Sequence, residues 1–308
     1  MKIYRDPAAL SGIKEPVLTL GNFDGLHLGH LKIIRGVAAR ARKLGVSSVV
    51  YTFDPHPLKV VSPHKSPPLL IDMEDKVRLI EAAGVDCLIF ASFTREFAAK
   101  HPRQFVEEAI VPLSVKEVWV GHDFRFGSGK AGTVEHLKEL GEEFGFRVVV
   151  IGAYRKGGHI VSSSRIRTLI AEGKVGEAAG LLGRRYSVKG VVVKGANIGK
   201  GIGFPTANLK VESELVPAGG VYAAWAVVGP KRFPAVLNIG RAPTFGGKET
   251  SVEVHLLDFD SDLYGERMEV HFIRRLRSEK KFKSAGDLAA QIRKDTERAR
   301  KIFSKAAP

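Results

Sequence analysis

Two histidines three residues apart, His27 and His30, follow the glycine-rich stretch Gly21-Asn22-Phe23-Asp24-Gly25. The apolar run Val17, Leu18, Leu20 precedes it, and Leu31, Ile34, Ala38 and Ala41 then recur on one helical face. The order predicts a strand, a tight turn and a helix. Such a turn aims backbone N–H groups and a helix N-terminus at one point, which suits phosphate. Imidazoles at that point can donate hydrogen bonds to phosphate oxygens that gain charge in a reaction. Gly29 lets the chain pass close to a ligand. A glycine turn alone could serve geometry only. Two histidines at a helix start have little packing reason to be there, and they favour nucleotide chemistry.

A second group of chemistry-bearing residues lies between Lys194 and Asn208, where Gly195, Gly199, Gly201 and Gly203 fall within nine residues and Phe204-Pro205-Thr206-Ala207-Asn208 follows. The glycines allow close backbone approach to a ligand. Thr206 and Asn208 offer hard oxygens suited to Mg²⁺ and phosphate. The plainer alternative is a flexible hairpin before an ordinary strand. Glu253 and His255 share one face of an alternating segment, Ser251 to Asp258. An acid on a strand is usually solvated or ion-paired, but facing a barrel mouth Glu253 could act as a general base. Ser162 to Arg167 reads as a serine-capped helix start, and its hydroxyls and arginines also suit phosphate.

The elements that position these residues fall into two textures. Up to about residue 183, apolar strands (47–53, 85–91, 118–121, 147–151) alternate with helical patterns (72–83, 102–110, 133–144). The alternation predicts a parallel α/β sheet in a Rossmann-like domain over 1–183, with its ligand beyond the strands' carboxyl ends. The prolines of Asp54-Pro55-His56-Pro57 are expected to stop regular structure there. From 184 to 308 five strands (186–194, 221–228, 233–239, 251–258, 266–274) predict a small antiparallel β-barrel or sandwich, closed by a helix bearing Leu288, Ile292, Ala299 and Phe303.

The chain has 308 residues, 44% of them apolar, and a net charge of +15. The charge is spread along the chain, which points to a solvated surface rather than a dedicated nucleic-acid face. No apolar run reaches the roughly 20 residues of a membrane span. The single cysteine, Cys87, sits in an apolar run and reads as core. No membrane or nucleic-acid partner is expected, and a cytoplasmic location is.

Taken together the two halves resemble the bacterial bifunctional riboflavin kinase/FMN adenylyltransferases, also called FAD synthetases. Gly21 to His30, Thr52 to Pro57, Gly121 to Gly127 and Ser162 to Arg167 look like that family's adenylyltransferase motifs. Gly203 to Asn208, the Glu253 strand and Leu276 to Phe282 look like its flavokinase motifs. The resemblance implies a nucleotidyltransferase domain followed by a flavokinase-like barrel, both Mg²⁺-dependent. The barrel would phosphorylate riboflavin with ATP to FMN, and the first domain would join FMN and ATP into FAD with release of pyrophosphate.

It further implies ATP contacts at Gly21, Phe23, Asp24, Gly25, His27, His30, Asp123, Ser163, Ser164 and Arg167, and flavin contacts at Asn22, Phe53, Asp54, His56 and Arg125. In the kinase half it implies ATP contacts at Gly195, Gly199, Lys200, Gly201, Gly203, Phe204, Pro205, Thr206 and Asn208. Mg²⁺ would sit on Thr206 and Asn208, Glu253 would be the base, and Arg277 would lie on the flavin. Lys200 stands where the family usually has Arg, which keeps the charge and loses a bidentate fork. Flavin-dependent apoenzymes would receive the products. A class I aminoacyl-tRNA synthetase would share the His-x-x-His turn but leaves Pro-Thr-Ala-Asn unexplained. An RNA-binding barrel would want clustered aromatics that these strands lack.

Overall fold

The structure, a computed structural model, describes residues 1–5, 13–195, 201, 203–244 and 247–305, with side chains outside 241–249. Two compact units divide the chain, Met1–Ser163 and Ser164–Pro308.

The first unit runs β1 (Lys2–Tyr4), β2 (Val17–Leu20), α1 (Leu28–Leu44), β3 (Ser48–Asp54), α2 (Pro57–Val61), α3 (Met73–Glu81), β4 (Cys87–Ser92), α4 (Arg95–Ala99), α5 (Pro102–Ala109), β5 (Glu117–Gly121), α6 (Val134–Phe144) and β6 (Arg147–Ile151). A small hairpin, β7 (Arg155–Lys156) and β8 (His159–Ile160), follows. The six strands β1 to β6 form one parallel sheet in the order β1-β4-β3-β2-β5-β6. Alternation along β3 assigns its residues to two faces. Val49 and Tyr51 pack with α5 and α6 residues such as Phe105 and Leu137, while Val50 packs with Ile34 of α1 and Ile80 of α3. Burial on both faces explains why β3 reads as a continuous apolar run.

One local expectation is met and one needs correction. The helix starts at Leu28, so both histidines sit at its beginning as expected, His27 as its cap and His30 in its first turn. Pro57 does not stop regular structure. It occupies the first turn of α2, where a missing N–H costs nothing.

The second unit opens with α7, whose Ser163–Ala171 span begins on the last residue of the first unit, and α8 (Val175–Leu182). Strands β9 (Ser187–Val193), β10 (Ala207–Val211), β11 (Gly220–Val228), β12 (Lys231–Thr244), β13 (Gly247–Leu256) and β14 (Arg267–Arg277) close an antiparallel barrel in the order β10-β13-β12-β11-β14-β9. The last helix, α9, spans Ala285–Lys305. Strand β10 is a sixth strand beyond the five predicted, at the place where the plainer alternative put an ordinary strand. Only five residues long, it follows directly on a Gly- and Pro-rich stretch that hides its pattern. The expected division at 184 lies after α8, which packs on β14 and so falls with the barrel. Tyr222 and Phe272 fill the barrel interior with rings 5.3 Å apart.

One ion pair fixes α1 to the sheet. The Arg40 guanidinium donates to the buried Glu117 carboxylate of β5 from Nη2 at 2.6 Å and from Nε at 3.0 Å, and Trp119 Nε1 adds a bond of 2.9 Å. The Arg40 hydrogen bonds hold the Glu117 carboxyl below its ordinary 4.5, against the opposing effect of burial. Its contribution is therefore complete above pH 4.5 and is lost as pH falls through the lowered value. Arg40→Met is expected to destabilise the first unit, because the Glu117 carboxylate loses its partner. Urea denaturation checks this, with Arg40→Met/Glu117→Met recovering most of the loss.

Candidate active sites

In the first unit strand order reverses at β2, which has β3 on one side and β5 on the other. Ligands of such sheets bind beyond the strand ends at this reversal. The turn after β2 lies there. Gly21 N–H donates to the Tyr51 carbonyl at 3.1 Å, and Phe23, Gly25 and Leu26 then take left-handed φ of 46°, 80° and 38°. A β-carbon at Gly25 would also come within 2.6 Å of Leu70 Cδ1. Tertiary bonds hold the strained turn. The buried Asp24 carboxylate accepts the Leu70 N–H at 3.0 Å. The Asn22 carbonyl accepts Lys76 Nζ at 3.0 Å, and the Asp24 carbonyl accepts the Ser163 hydroxyl at 2.9 Å.

His27 caps α1, its Nδ1 accepting the His30 N–H at 3.2 Å. That bond leaves the proton of a neutral His27 on Nε2. The His27 and His30 rings stack 3.6 Å apart, tilted by 19°, and Phe23 meets His30 edge-on at 5.4 Å. Gly29 makes room for this stack: a β-carbon there would lie 3.1 Å from the His27 ring. His30 Nδ1 is buried and has no partner among the described residues. Burial, then the charges of His27 and Lys76, hold the His30 imidazole well below its ordinary 6.5. A buried, unpartnered ring nitrogen at a helix N-terminus is a donor position for an anion.

The other predicted residues are placed as follows. Phe53 joins an aromatic cluster, 5.5 Å from Tyr51 and 5.2 Å from Phe93. Asp54 pairs with Arg5 at 3.5 Å. His56 caps α2 by accepting the Leu58 N–H at 3.2 Å. Asp123 and Arg125 are exposed on the loop after β5, where Phe124 and Phe126 stack 5.7 Å apart. Ser164 and Arg167 belong to α7 and to the second unit. Sequence reasoning missed Lys76, because a lysine on a surface-type helix gives no sign of burial.

In the barrel, strand register assembles the site. Asn208 of β10 pairs with Glu253 of β13, Glu253 with Asn238 of β12, Asn238 with Val221 of β11, and Val221 with Arg277 of β14. Directly paired residues share a face, so these five form one row. Three strand spacings of ~4.8 Å put Glu253 and Arg277 roughly 14 Å apart along it. The next row, Tyr222, Leu237 and Val254, is fully buried inside the barrel. Glu253 therefore faces the outer wall and not the barrel mouth. That wall floors a cavity of about 330 Å³, which Leu288 and Ile292 of α9 and Phe282 also line.

Burial raises the Glu253 carboxyl above its ordinary 4.5. Thr206 and His255 line the same cavity, and His255 Nδ1 lies 2.8 Å from the Pro205 carbonyl, tying the Thr206 segment to the Glu253 strand. A β-carbon at Gly195 would collide with the Asn208 amide, and Gly203 has φ 82°. Arg277 Nε donates to Asp295 Oδ2 of α9 at 2.9 Å, and Gln291 donates to the other oxygen at 3.1 Å. Asn238, His255 and Asp295 went unassigned from sequence; the Glu253 pairing register is the signal that finds Asn238. Gly199 and Lys200 lie outside the described residues.

The family model described as FAD synthetase matches residues 11–165, and that described as riboflavin kinase matches residues 182–303. The bifunctional riboflavin kinase/FMN adenylyltransferase of Escherichia coli K12 is 38% identical over all of both chains. That of Bacillus subtilis is 38% identical over 94% of this chain and 92% of its own. A Streptococcus pneumoniae crystal structure named as a macrolide-efflux protein has 32% identity and a TM-score of 0.89, over 97% of this chain and 98% of that one. Among the described residues no helix is long and apolar enough to cross a membrane. With both halves matched in order and relatives aligned end to end, the chain belongs to the bifunctional riboflavin kinase/FMN adenylyltransferase family.

Proposed function

We infer that this protein makes FMN from riboflavin and ATP on its barrel, and makes FAD and pyrophosphate from FMN and ATP on its parallel-sheet unit. One observation carries the reading: each half has its own family match, and each match contains a site of the appropriate chemistry. The histidine stack, with His27 buried and His30 half-buried, lies in one, and Glu253 on the wall of a largely apolar cavity lies in the other.

In the kinase, Glu253 would take the proton from the ribityl 5′-hydroxyl as that oxygen attacks the γ-phosphorus and ADP leaves. The flanking amides of Asn208 and Asn238 would orient the carboxylate and the incoming hydroxyl. Val221 and Val236 give the cavity an apolar floor for the flavin rings. Arg277, held by Asp295, would bound its far end. Thr206 and Asn208 fit Mg²⁺: they offer hard oxygens beside one carboxylate, and the ion prefers substrate phosphates and water to an all-protein cage. No cluster of three metal-binding side chains occurs among the described residues, as that mode of binding allows. Bound with the nucleotide, Mg²⁺ would offset phosphate charge.

In the adenylyltransferase no proton transfer is required. The FMN phosphate would attack the α-phosphorus of ATP, and His27 and His30 would stabilise the charge that collects on the departing pyrophosphate. Gly21 and Gly25 would let the triphosphate approach the turn. Phe23 supports His30 from the side, and Asp24 acts by fixing the turn. Ser163, Ser164 and Arg167 would hold the outer phosphates, and Asp123 would help line the nucleotide crevice. Asn22, Phe53, Asp54, His56 and Arg125 would bound the flavin. In the kinase Gly195, Gly201, Gly203, Phe204 and Pro205 would cover the ATP phosphates, together with Gly199 and Lys200. For function we divide the chain into 1–183 and 184–308, supported by the family matches that end at 165 and begin at 182, although α7 and α8 fall within the second compact unit. A cytoplasmic location accords with use of ATP, and flavin-dependent apoenzymes would take up the FMN and FAD.

Glu253→Gln is expected to lower riboflavin phosphorylation by a factor of 10² or more, the scale of a lost general base, while supplied FMN is still converted to FAD. Chromatographic separation of FMN and FAD over time checks both activities in one preparation, and equal loss of both would overturn the division of labour. Because burial raises the Glu253 carboxyl, the acid limb of riboflavin phosphorylation is expected above pH 4.5. A kcat/KM profile against pH reads that limb directly.

A further inference from the structure

Lys76 is buried on α3, and no other lysine or arginine among the described residues is. It occupies a core-facing position, one helical turn before the fully buried Ile80. Packing alone would place an apolar residue there. An ammonium taken out of water is costly unless it is hydrogen-bonded and faced by opposite charge. Lys76 has both. Its Nζ donates to the Asn22 carbonyl in the turn, and Asp24 and Asp54 face it electrostatically from the turn and from the end of β3. The residue after Asn22 in that turn, Phe23, meets His30, whose imidazole is held low by burial first and then by the charges of His27 and Lys76. The His30 Nδ1 is buried without a partner, and Phe23 closes the ring's edge.

We propose that Lys76 is a positioning residue for adenylyl transfer: its ammonium pins the Asn22 carbonyl, and so sets the turn that holds Phe23 against His30 and leaves the His30 Nδ1 open to an arriving polyphosphate. The proposal rests on reading this crevice as the adenylyl-transfer site. Three basic groups crowd one buried point. With no anion present, a second full charge beside the lysine is disfavoured. A bound triphosphate reverses the balance, so His30 binds a proton and donates from Nδ1 as negative charge collects on the leaving pyrophosphate. Burial alone could keep His30 neutral, but only a neighbouring fixed cation makes that neutrality depend on α3.

The test uses the full chain with ¹⁵N-labelled histidine, and NMR titration of His30 assigned by its absence in His30→Gln. Wild-type His30 is expected to titrate well below 6.5 and to move upward on saturation with Mg-ATP. Lys76→Met and Lys76→Gln are each expected to move it upward, as removal of a nearby like charge does. Lys76→Arg should leave it low. Methionine cannot donate to Asn22, so a Lys76→Met protein with unmoved His30 titration would show a structural role only and overturn the proposal. FAD formation should fall at least tenfold in the Met and Gln variants, with the backbone amide signals of the first unit's labelled histidines unchanged as the measure of its folding and FMN formation from riboflavin within twofold as the control for the barrel. A wild-type His30 that titrates at 6.5 or above would overturn the proposal even where the variants do not fold. His30→Gln that still forms FAD would sink the assignment of the crevice instead, and would leave the measured Lys76–His30 coupling standing.

Discussion

Strand register is the constraint on which both sites depend. Side chains alternate along a strand with a period of two, so a slip of one residue turns a whole row to the opposite face. In the barrel such a slip of β13 would place Val252 and Val254 on the outer wall and drive Glu253 and His255 into the interior beside Tyr222. The apolar interior forbids that exchange: Val252, Val254, Leu237 and Tyr222 are all buried to within a percent or so of completeness. The same packing that stabilises the barrel thereby aligns Asn208, Glu253, Asn238, Val221 and Arg277 on its outside. In the parallel sheet, register works along the strands. The Gly21 N–H extends the pairing of β2 with β3, and its bond to Tyr51 fixes where the turn leaves the sheet.

The two sites handle buried charge in opposite ways. Glu253 is a carboxylate with amides for neighbours, and burial alone pushes its carboxyl upward, toward a base of useful strength. His30 is a base pressed by burial and by neighbouring positive groups, which pushes it downward and leaves a donor position ready for anionic oxygen. Neither arrangement favours the unliganded fold. Each leaves a polar group short of partners in low dielectric, a state that persists only where surrounding structure enforces it. The enforcement is visible in each case. Asp24 and Lys76 hold the turn from Leu70 and α3, while His255 and the Arg277–Asp295 pair hold the two ends of the cavity wall.

Much of this was legible in the sequence, for physical reasons that also mark its limits. The continuous apolar run of β3 and the 34, 38, 41 spacing of α1 are the direct imprint of burial, and both elements formed where that imprint lies. The start of α1 carries no apolar signal, because its first turn serves His27 and His30, and it was legible only through the glycine turn and the two histidines themselves. Strand β10 was hidden for a similar reason: the chemistry-bearing Pro205-Thr206-Ala207-Asn208 leads into it. Asn238 and Asp295 depend on partners 15 and 18 residues away, Glu253 and Arg277, and no local pattern announces them. Lys76 is the extreme case. Its sequence neighbourhood is that of a solvated helix, and its burial is decided by Asn22, 54 residues earlier.

These differences follow from the kind of surface each fold offers. A parallel sheet buries both faces, so nothing on a strand face is free to meet a ligand and the chemistry moves to the loops at the strand ends. Its candidate residues are consequently scattered from Gly21 to Ser163 and need long-range bonds to converge. A closed barrel buries its interior and leaves its outer wall open, so the chemistry can sit on the strands, and α9 with the segment around Phe282 supplies the cover. Position on a strand is then inherited from the core without further devices. The loop-built site requires its own scaffold, which is why the first unit places a buried lysine, a buried aspartate and three left-handed residues within one turn's reach, while the barrel wall holds Glu253 with two amides and its register.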